Sequence, residues 1–332
     1  MLVLDLIVRG GKVVTAEGTA EADIAVKDGV VVALGRSDYF PEAARVVDAG
    51  GRYVLPGLVD PHTHFNLPFM GTYTSDDFFT GTRAAALGGT TTVIDFAIQA
   101  KGGLPMDAVV ARQQEADPKV CVDYALHSVI TDASPAAIAQ LGEIIQSGVP
   151  SFKCFMIYRK EGLMADDGIV LAVIEQMKKY GGLFGAHTEN AAIAEYNVEK
   201  ALSEGNRSAI WHAYTKPNLV EAEAINRALY LAKASGAAFY DFHMSCREGV
   251  DAFRAERQEG RPVYSETCTH YLSLTKAKLE GPDGINYICS PPLRDQEDIE
   301  ALWRGLADGT VSTTGSDEAA FSAEQKKLGQ DS

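Results

Sequence analysis

The pattern of hydrophobic and polar positions divides the chain into two regions. In the first, residues 1–52, short apolar runs are each followed by a turn that contains glycine: Asp5–Arg9 by Gly10-Gly11, Ala22–Val26 by Asp28-Gly29, and Val30–Leu34 by Gly35. An Asp-Gly pair between apolar alternating runs is a strong signal for a β-hairpin. Residues 1–52 are therefore predicted to form a small antiparallel β-module.

From Tyr53 onward an apolar strand, a loop and an amphipathic helix follow one another repeatedly. The predicted strands are Tyr53–Asp60, Thr91–Phe96, Val120–Ile130, Ser151–Met156, Leu183–His187, Ala238–Met244, Val263–Thr269 and Val311–Ser316. The helix-like stretches between them are Thr80–Leu87, Pro135–Ser147, Ile169–Tyr180, Leu219–Ser235 and Glu297–Leu306. Near-continuous hydrophobic strands are typical of a parallel sheet covered on both faces. Eight of them predict an α/β fold, a (β/α)8 barrel of the TIM type, over residues 53–318.

An open, doubly wound parallel sheet is the competing architecture. Such a sheet usually binds its ligand at a switch point between strands, often through a glycine-rich loop. The chain contains neither a GxGxxG nor a GxxxxGK[ST] motif. The pattern therefore favours the barrel.

Composition and charge narrow the classes of function. The chain has 332 residues, with 30 Lys and Arg against 45 Asp and Glu, so its formal net charge is −15. This charge disfavours binding to nucleic acid or to an anionic membrane, because no basic surface offsets it. No apolar run in the sequence approaches the roughly 20 residues that a membrane-spanning helix needs.

The start of the chain and its cysteines predict a cytoplasmic location. Met1–Arg9 carries an acid within its apolar stretch and has no basic leader, unlike a secretion signal. The five cysteines are odd in number and form no CxxC pair. That pattern favours reduced thiols over a disulfide framework.

Side chains that can bind metals recur at the carboxyl ends of the predicted barrel strands. His62 and His64 follow the first strand, and residues two apart in an extended segment point the same way, so both imidazoles can face one cation. Four more candidates occupy later strands: Lys153 in the fourth, His187 at the end of the fifth, His243 at the end of the sixth and Asp317 at the end of the eighth. All six therefore map to the rim where barrel enzymes build their active sites.

Lys153 is the unusual member of this set. It is flanked by Phe152, Cys154 and Phe155, where a buried ammonium without a partner is costly. An ammonium has no lone pair for a metal. Desolvation lowers the pKa of the amine, which then can react with carbon dioxide to form a carbamate, a long carboxylate able to bridge two cations. The alternative is a lysine paired with an acidic residue.

Several motifs together resemble one family. Pro56-Gly57-Leu58-Val59-Asp60-Pro61-His62-Thr63-His64 is similar to the signature of the amidohydrolase superfamily. Three further segments resemble its cyclic-amide hydrolases, the dihydropyrimidinases and hydantoinases: Ser151–Tyr158 around Lys153, Gly185–Asn190 around His187, and Cys289–Arg294. The resemblance covers nearly the whole chain and implies that the N-terminal module is part of a β-sandwich.

The resemblance also implies the cofactors and the roles of site residues. It implies two zinc ions per subunit, with His62, His64 and Asp317 on one and His187 and His243 on the other. Carbamylated Lys153 and a hydroxide would bridge them. Asp317 would pass a proton from the attacking hydroxide to the departing ring nitrogen. Tyr158 would donate to the carbonyl oxygen, Ser290 would contact the ring amide through its backbone, and Leu67 and Phe69 are expected to line the substrate pocket.

The implied function is hydrolysis of a hydantoin or 5,6-dihydropyrimidine ring to an N-carbamoyl amino acid. Allantoin or dihydroorotate is the alternative substrate, and Arg159 and Arg294 are candidates for binding the carboxylate of dihydroorotate. A non-catalytic scaffold, as in the dihydropyrimidinase-like signalling proteins, is the second alternative, although such a scaffold is expected to have lost ligands. A homodimer or homotetramer is expected, and residues 319–332 are expected to be the truncated start of a C-terminal region.

Overall fold

The computed structural model describes residues 3–69 and 71–328. Residues 329–332, in the predicted C-terminal segment, and Met1 and Leu2, in the predicted β-module, lie outside the described residues. The chain forms two compact units, one up to Leu58 and one from Val59 onward. Within the described ranges, no helix is long and apolar enough to cross a membrane.

The N-terminal unit is built on one five-stranded sheet. Its strands are β1 (Leu4–Thr15), β2 (Gly18–Lys27), β3 (Val30–Gly35), β4 (Ala43–Asp48) and β5 (Tyr53–Val54). The strand order is β3-β2-β1-β4, and β5 also pairs with β1. The predicted antiparallel arrangement is confirmed for β1, β2 and β3, whereas β4 and β5 run parallel to β1. The sheet is therefore mixed: β1 has an antiparallel neighbour, β2, on one side and parallel neighbours, β4 and β5, on the other.

The three glycine-containing signals in this sheet have different outcomes. β3 ends at Gly35, as expected. Asp28 and Gly29 both have positive φ, 51° and 75°, and make the two-residue turn between β2 and β3, so the hairpin is confirmed. The turn expected at Gly10-Gly11 is wrong, because β1 continues through both residues with a β-bulge. Gly11 is required there, since a Cβ would lie 2.6 Å from Cγ2 of Val54.

The second unit is a barrel of eight parallel strands, so the predicted fold class is confirmed. The barrel strands, in chain order, are β6 (Leu58–Thr63), β9 (Thr90–Ile98), β10 (Asp123–Val129), β11 (Ser151–Phe155), β12 (Leu183–His187), β13 (Phe239–Asp241), β14 (Val263–Cys268) and β15 (Thr313–Gly315). A separate small hairpin consists of β7 (Pro68–Phe69) and β8 (Thr72–Tyr73).

At least one helix follows each barrel strand in the sequence. The helices are α1 (Phe78–Leu87), α2 (Pro105–Ala116), α3 (Pro135–Gln146), α4 (Asp167–Tyr180), α5 (Ala191–Ser203), α6 (Ile210–Thr215), α7 (Asn218–Ser235), α8 (Arg247–Gln258), α9 (Gln296–Asp308) and α10 (Ala323–Leu328). The sequence shows why α4 has these limits. The carboxylate of Asp166 caps it by accepting from the backbone N–H of Ile169, and it ends at Gly181, whose φ is +81°.

One predicted barrel strand is wrong in its extent. Tyr53–Asp60 is two strands: β5 pairs with β1 in the N-terminal sheet, and β6 begins the barrel. Pro56, which lies between them, has no N–H to donate to a ladder, and Gly57 follows it. The predicted sixth strand is also shorter, so that His243 lies two residues beyond the end of β13.

Aromatic side chains fill the inside of the barrel. Phe96, Val129, Phe155, Tyr240 and Phe242 form a buried cluster there. A larger apolar cluster, which includes Phe152, Cys154 and Phe184, lies between the strands and the helices. Lys153 therefore points inward while its neighbours pack outward, as the alternation along a strand requires.

The barrel closes between its first and last strands through a short contact rather than a long ladder. Thr63 and Glu318 form a parallel bridge, and the backbone N–H of His64 donates to the carbonyl oxygen of Glu318 at 2.7 Å. The carboxylate of Asp60 accepts from the backbone N–H of Ser316 at 3.0 Å. This closure places His64 and Asp317 beside each other.

Candidate metal centre and catalytic site

Four of the six predicted metal ligands meet at one atom, Nε2 of His62. This nitrogen lies 3.1 Å from Nζ of Lys153, 3.2 Å from Nε2 of His64 and 3.2 Å from Oδ1 of Asp317. Nε2 of His64 is itself 3.4 Å from the same Asp317 oxygen. Strands β6 and β11 and the segment after β15 therefore bring together side chains that are far apart in the sequence.

The remaining two histidines lie beside this group. The ring of His243 stacks on His62 with centroids 5.2 Å apart, and His187 meets His243 edge-on at 4.4 Å. One ligand atom each from His62, His243 and Asp317 lie within 4.8 Å of one another. Nε2 of His187 is hydrogen bonded to Glu189 at 2.6 Å, which leaves its Nδ1 as the atom for a metal.

Unusual backbone conformations mark this rim of the barrel. Tyr158, His243 and Asp317 have φ values of 66°, 47° and 52°, in the left-handed region that residues with a Cβ rarely adopt. Such residues cost roughly 1–3 kcal/mol each and persist where the surrounding structure holds them. Each lies just past a barrel strand, where a reversal of the chain turns the side chain back over the barrel mouth.

The ammonium of Lys153 lies inside an aromatic cage. Its Nζ is 4.3 Å from the ring centroid of Phe96, 4.9 Å from that of Phe155 and 4.7 Å from that of Phe242. Burial lowers the pKa of Lys153 to about 8, against the opposing attraction of nearby carboxylates such as Asp317. The neutral amine is therefore accessible near neutral pH, as a reaction with carbon dioxide requires.

The protonation preferences of the other donors suit metal binding. Burial, assisted by the charge of Lys153, holds the pKa of His62 well below its ordinary value, and burial with the neighbouring His187 does the same for His243. Burial opposes ionisation of Asp317, but His62 and His64 hold its pKa well below the usual range. Neutral imidazoles and an ionised carboxylate are the forms that bind a divalent cation.

Sequence reasoning missed Glu266, which orients His62. One oxygen of its carboxylate is 2.6 Å from Nδ1 of His62, and the other accepts from the phenol of Tyr240 at 2.8 Å. A carboxylate on Nδ1 fixes the hydrogen there and leaves the lone pair on Nε2, where the other donors meet. Burial raises the pKa of Glu266 to about 8, and a cation in the centre would favour its ionised form. The signal in the sequence is a charged residue in the middle of a predicted barrel strand, as for Lys153.

Glu266→Gln is expected to lower the affinity for a divalent metal, with added zinc as the probe, about 10- to 100-fold. Glutamine fills the same space without the charge that would make His62 a stronger ligand. Competition with a chelator measures this affinity without any assay of turnover. Glu256→Gln is the matched control, since Glu256 pairs with Lys233 on the outside of the barrel at 3.1 Å. Equal zinc affinities of the two variants would contradict this role of Glu266.

A buried ion pair holds the backbone on both sides of His64. The carboxylate of Asp95 accepts from the backbone N–H of Phe65 at 2.9 Å and from the hydroxyl of Thr63 at 3.3 Å. Arg112 contacts Asp95 at 2.6 Å and also donates to the carbonyl oxygen of Phe65. The pair therefore fixes the segment that aims His64 at the centre.

Arg112→Ala is expected to destabilise the protein by roughly 3–5 kcal/mol, because it leaves the buried carboxylate of Asp95 without its partner. Urea unfolding of the metal-free protein measures this loss. Arg254→Ala, which removes a surface pair with Asp251 at 2.7 Å, is expected to cost less than about 1 kcal/mol. A small loss for Arg112→Ala, similar to that of the control, would contradict the interpretation.

Of the residues predicted to contact the substrate, Phe69 packs against Tyr158. The ring of Tyr158 meets His187 at 5.3 Å and Phe69 at 5.6 Å, both edge-on. Burial raises the pKa of its phenol, which is therefore protonated and a donor at neutral pH. Leu67 is half-buried in the same loop as Phe69 and pairs with Thr74 through its backbone.

Ser290 lies in a polar group that sequence reasoning also missed. Its hydroxyl oxygen is 3.0 Å from Nζ of Lys216 and 3.3 Å from Nε2 of His212. Lys216 is 3.6 Å from the Glu189 oxygen that bonds His187. Ser290 and the candidate metal ligand His187 are therefore linked through a buried ion pair.

The donor set fits a divalent metal centre. Three nitrogen or oxygen atoms, from Lys153, His64 and Asp317, lie within 3.2 Å of Nε2 of His62. The tautomer set by Glu266 leaves that nitrogen with a lone pair. Nδ1 of His243 is buried and has no hydrogen-bond partner among the described residues. Imidazole and carboxylate are the ligands that zinc takes in hydrolytic sites.

Comparison with known proteins decides the family. The model of the Amidohydrolase family matches residues 53–328. The chain belongs to the amidohydrolase family. This family is metal-dependent, and the group of His62, His243 and Asp317 is a possible metal site in this member.

This amidohydrolase is similar in sequence to D-hydantoinases and to a dihydropyrimidinase. A D-hydantoinase of Geobacillus stearothermophilus is 40% identical over 328 residues, which are 98% of this chain and 69% of that protein. A dihydropyrimidinase of Rattus norvegicus is 38% identical over 336 residues, 98% of this chain and 64% of that protein. The crystal structure of dihydropyrimidinase from Brevibacillus agri NCHU1002 has a TM-score of 0.95 at 41% identity and covers 98% of this chain and 71% of its own.

Proposed function

We propose that the protein hydrolyses a cyclic amide, opening a hydantoin or 5,6-dihydropyrimidine ring to an N-carbamoyl amino acid. The similarity to D-hydantoinases and to dihydropyrimidinases over 98% of the chain supports this activity. One observation in the structure carries the proposal: Lys153, His64 and Asp317 each place a polar atom within 3.2 Å of Nε2 of His62.

We propose a binuclear zinc centre in which His62, His64 and Asp317 hold one ion and His187 and His243 the other. When bound, the two ions would activate a water molecule and polarise the amide carbonyl. The support is the convergence of these donors at the carboxyl ends of the barrel strands, where barrel enzymes place their chemistry.

Lys153 would join this centre as a carbamate. Its neutral amine attacks carbon dioxide, an N–C bond forms, and one proton leaves the nitrogen. The product is a carboxylate, which has the lone pairs that an ammonium lacks. The aromatic cage around Nζ and the lowered pKa of about 8 support this reaction, because both favour an uncharged amine.

The chain's own residues would then move the proton and stabilise the charge. Oδ1 or Oδ2 of Asp317 accepts a proton from the attacking water and returns it to the ring nitrogen as the C–N bond breaks. The phenol of Tyr158 donates to the carbonyl oxygen as negative charge develops on it. The backbone of Ser290 would contact the ring amide, while Leu67 and Phe69 would line the space for its substituent.

The arginines that were considered for a substrate carboxylate are engaged elsewhere. Arg294 is buried and contacts Glu221 at 2.7 Å and Ser245 at 2.9 Å. The side chain of Arg159 is 55% exposed and lies 3.6 Å from Glu195. Neither arrangement favours dihydroorotate. The presence of all six donors argues against a scaffold without activity.

The experiment that tests the function is a ring-opening assay with the full-length, zinc-loaded protein on hydantoin, 5,6-dihydrouracil, allantoin and dihydroorotate. We expect N-carbamoyl products from hydantoin or dihydrouracil, and loss of turnover after chelation. Turnover of allantoin or dihydroorotate alone, or of none of the four, would overturn the proposal. A homodimer or homotetramer stays a prediction, which sedimentation of the same sample would test.

A further inference from the structure

Helix α10 contacts two loops that carry proposed substrate residues. One loop is the hairpin of β7 and β8, which contains Phe69. The other begins with the short 3-10 helix Gly284–Tyr287 and leads to Ser290. Within the parts of the chain that the structure describes, no hydrogen bond joins these two loops directly. Their hydrogen-bonded connection therefore runs through α10, which the mechanism above does not use.

Gln325 binds the hairpin. Its Nε2 lies 2.8 Å from the hydroxyl oxygen of Thr72 and 2.7 Å from the carbonyl oxygen of Tyr73. Its Oε1 accepts from the backbone N–H of Ser322 at 2.8 Å, while the hydroxyl of Ser322 accepts from the backbone N–H of Gln325 at 3.3 Å. This reciprocal pair is a capping box at the start of α10. Because an N–H only donates and a carbonyl oxygen only accepts, the amide nitrogen must face the hairpin.

The hairpin links Gln325 to Phe69. Thr72 is the residue opposite Phe69 in the β7–β8 pair. The ring of Phe69 meets Tyr158 edge-on at 5.6 Å. At the base of the hairpin, the backbone N–H of Thr74 donates to the carbonyl oxygen of Leu67 at 3.0 Å. The hairpin is therefore held at its base by its own backbone and along β8 by Gln325.

Lys326 binds the second loop. Its Nζ lies 3.1 Å from the carbonyl oxygen of Asn286 and 3.1 Å from that of Ile288. An ammonium has only donors, and hydrogen bonds from a charged donor are stronger than those between neutral groups. Ile288 is two residues before Ser290. The ammonium therefore holds the backbone that leads directly to Ser290, whereas the next residue of the helix, Lys327, is exposed.

We propose that Gln325 and Lys326 are positioning residues for the substrate pocket: Gln325 holds the hairpin that carries Phe69, and Lys326 holds the segment that leads to Ser290. Two adjacent residues of one helix then fix the substituent side and the ring-amide side of the pocket relative to each other. The inference rests on the proposed function, because the roles of Phe69 and Ser290 come from it.

The first test measures KM and kcat of Lys326→Met on the cyclic amide that the wild type turns over, with and without a phenyl substituent on the ring. We expect KM to rise about 5- to 20-fold for both substrates, because both share the ring amide, and kcat to change less than about threefold. Lys326→Arg keeps the charge and the donors, so its KM should stay within about threefold of the wild type. Lys327→Met, at the exposed neighbour, is the matched control.

The second test uses Gln325→Glu, which separates the hairpin contact from the capping of α10. Glutamate keeps the acceptor for the N–H of Ser322 but turns a carboxylate oxygen toward the carbonyl oxygen of Tyr73. We expect KM to rise about 5- to 20-fold for the phenyl-substituted ring and less than about threefold for the unsubstituted one, because only the substituent needs Phe69. Gln114→Glu adds the same charge at an exposed position of α2 and is the control.

Amide hydrogen exchange shows whether each variant loosens its own loop. Exchange should become faster in the β7–β8 hairpin of Gln325→Glu and in residues 284–290 of Lys326→Met, with little change in the other loop. Zinc content and the melting temperature are measured for every variant. If Lys326→Met does not fold, Lys326→Gln replaces it, and we expect a smaller rise in KM because one donor group remains.

Three results would overturn the inference: a KM like that of the controls in both variants, a change in KM that follows zinc content, or unchanged amide exchange in both loops. An equal rise for the two substrates in Gln325→Glu would refute the link from Gln325 to Phe69. A wild type without turnover on any cyclic amide is a different failure, which removes the proposed function and this inference with it. Turnover by the wild type with a KM that neither change alters removes the inference alone.

Discussion

Asp317→Asn is expected to lower kcat for ring opening by about 10³-fold or more. The amide of asparagine cannot take a proton from water and return it to the ring nitrogen, a role that contributes roughly 10²–10⁴-fold. The change also removes the one carboxylate that contacts both His62 and His64, at 3.2 and 3.4 Å. The melting temperature should change little, because the side chains have equal size.

Steady-state kinetics on hydantoin and dihydrouracil, with zinc content measured on the same samples, checks this result. Glu318→Gln is the matched control, since Glu318 is the next residue and its side chain accepts from the backbone N–H of Ala320 at 3.1 Å. Glutamine keeps that acceptor. An Asp317→Asn variant with more than a tenth of the kcat of the control would contradict the role of Asp317.

Lys153→Met is expected to abolish measurable turnover and to lower the zinc content of the protein. Methionine suits the aromatic cage, whose rings lie 4.3–4.9 Å from Nζ, so the fold should persist. It cannot form a carbamate, and the two groups of donors lose the carboxylate proposed between them. Removing a buried ammonium also removes a desolvation cost, so the metal-free variant should be at least as stable as the wild type.

The measurements are zinc content by elemental analysis, kcat, and urea unfolding of the metal-free protein. Lys278→Met, at a lysine that lies 5.8 Å from the ring of Tyr287 on the outside of the barrel, controls for the loss of a lysine. Short carboxylic acids, added to Lys153→Met, should restore part of the activity if the missing group is a carboxylate. Full zinc content and full kcat in Lys153→Met would contradict the proposal for this residue.

The sequence predicted the barrel and the rim of donors because both follow from local pattern. A parallel strand ends with its carboxyl end at one side of the sheet, so a histidine at the end of β12 and one after β6 must share a rim. The alternation of side chains along a strand likewise predicted that Lys153 points away from Cys154. No knowledge of distant contacts was needed for these inferences.

The missed features depend on contacts between distant parts of the chain. Glu266 is 204 residues from His62, and Lys216 is 74 residues from Ser290. The pairing of β5 with β1 could not be predicted for the same reason, because an apolar run in the sequence does not show which sheet the strand joins. The clearest available signal was a charged residue inside a predicted barrel strand, which is shared by Asp95, Glu266 and Lys153.

Anomalous scattering at the zinc edge, from crystals of the zinc-loaded protein, tests whether these side chains hold two metal ions. We expect two peaks, one beside His62, His64 and Asp317 and the other beside His187 and His243, with additional density beyond Nζ of Lys153. A single peak with an unmodified lysine, or no peak among these six side chains, would contradict this expectation.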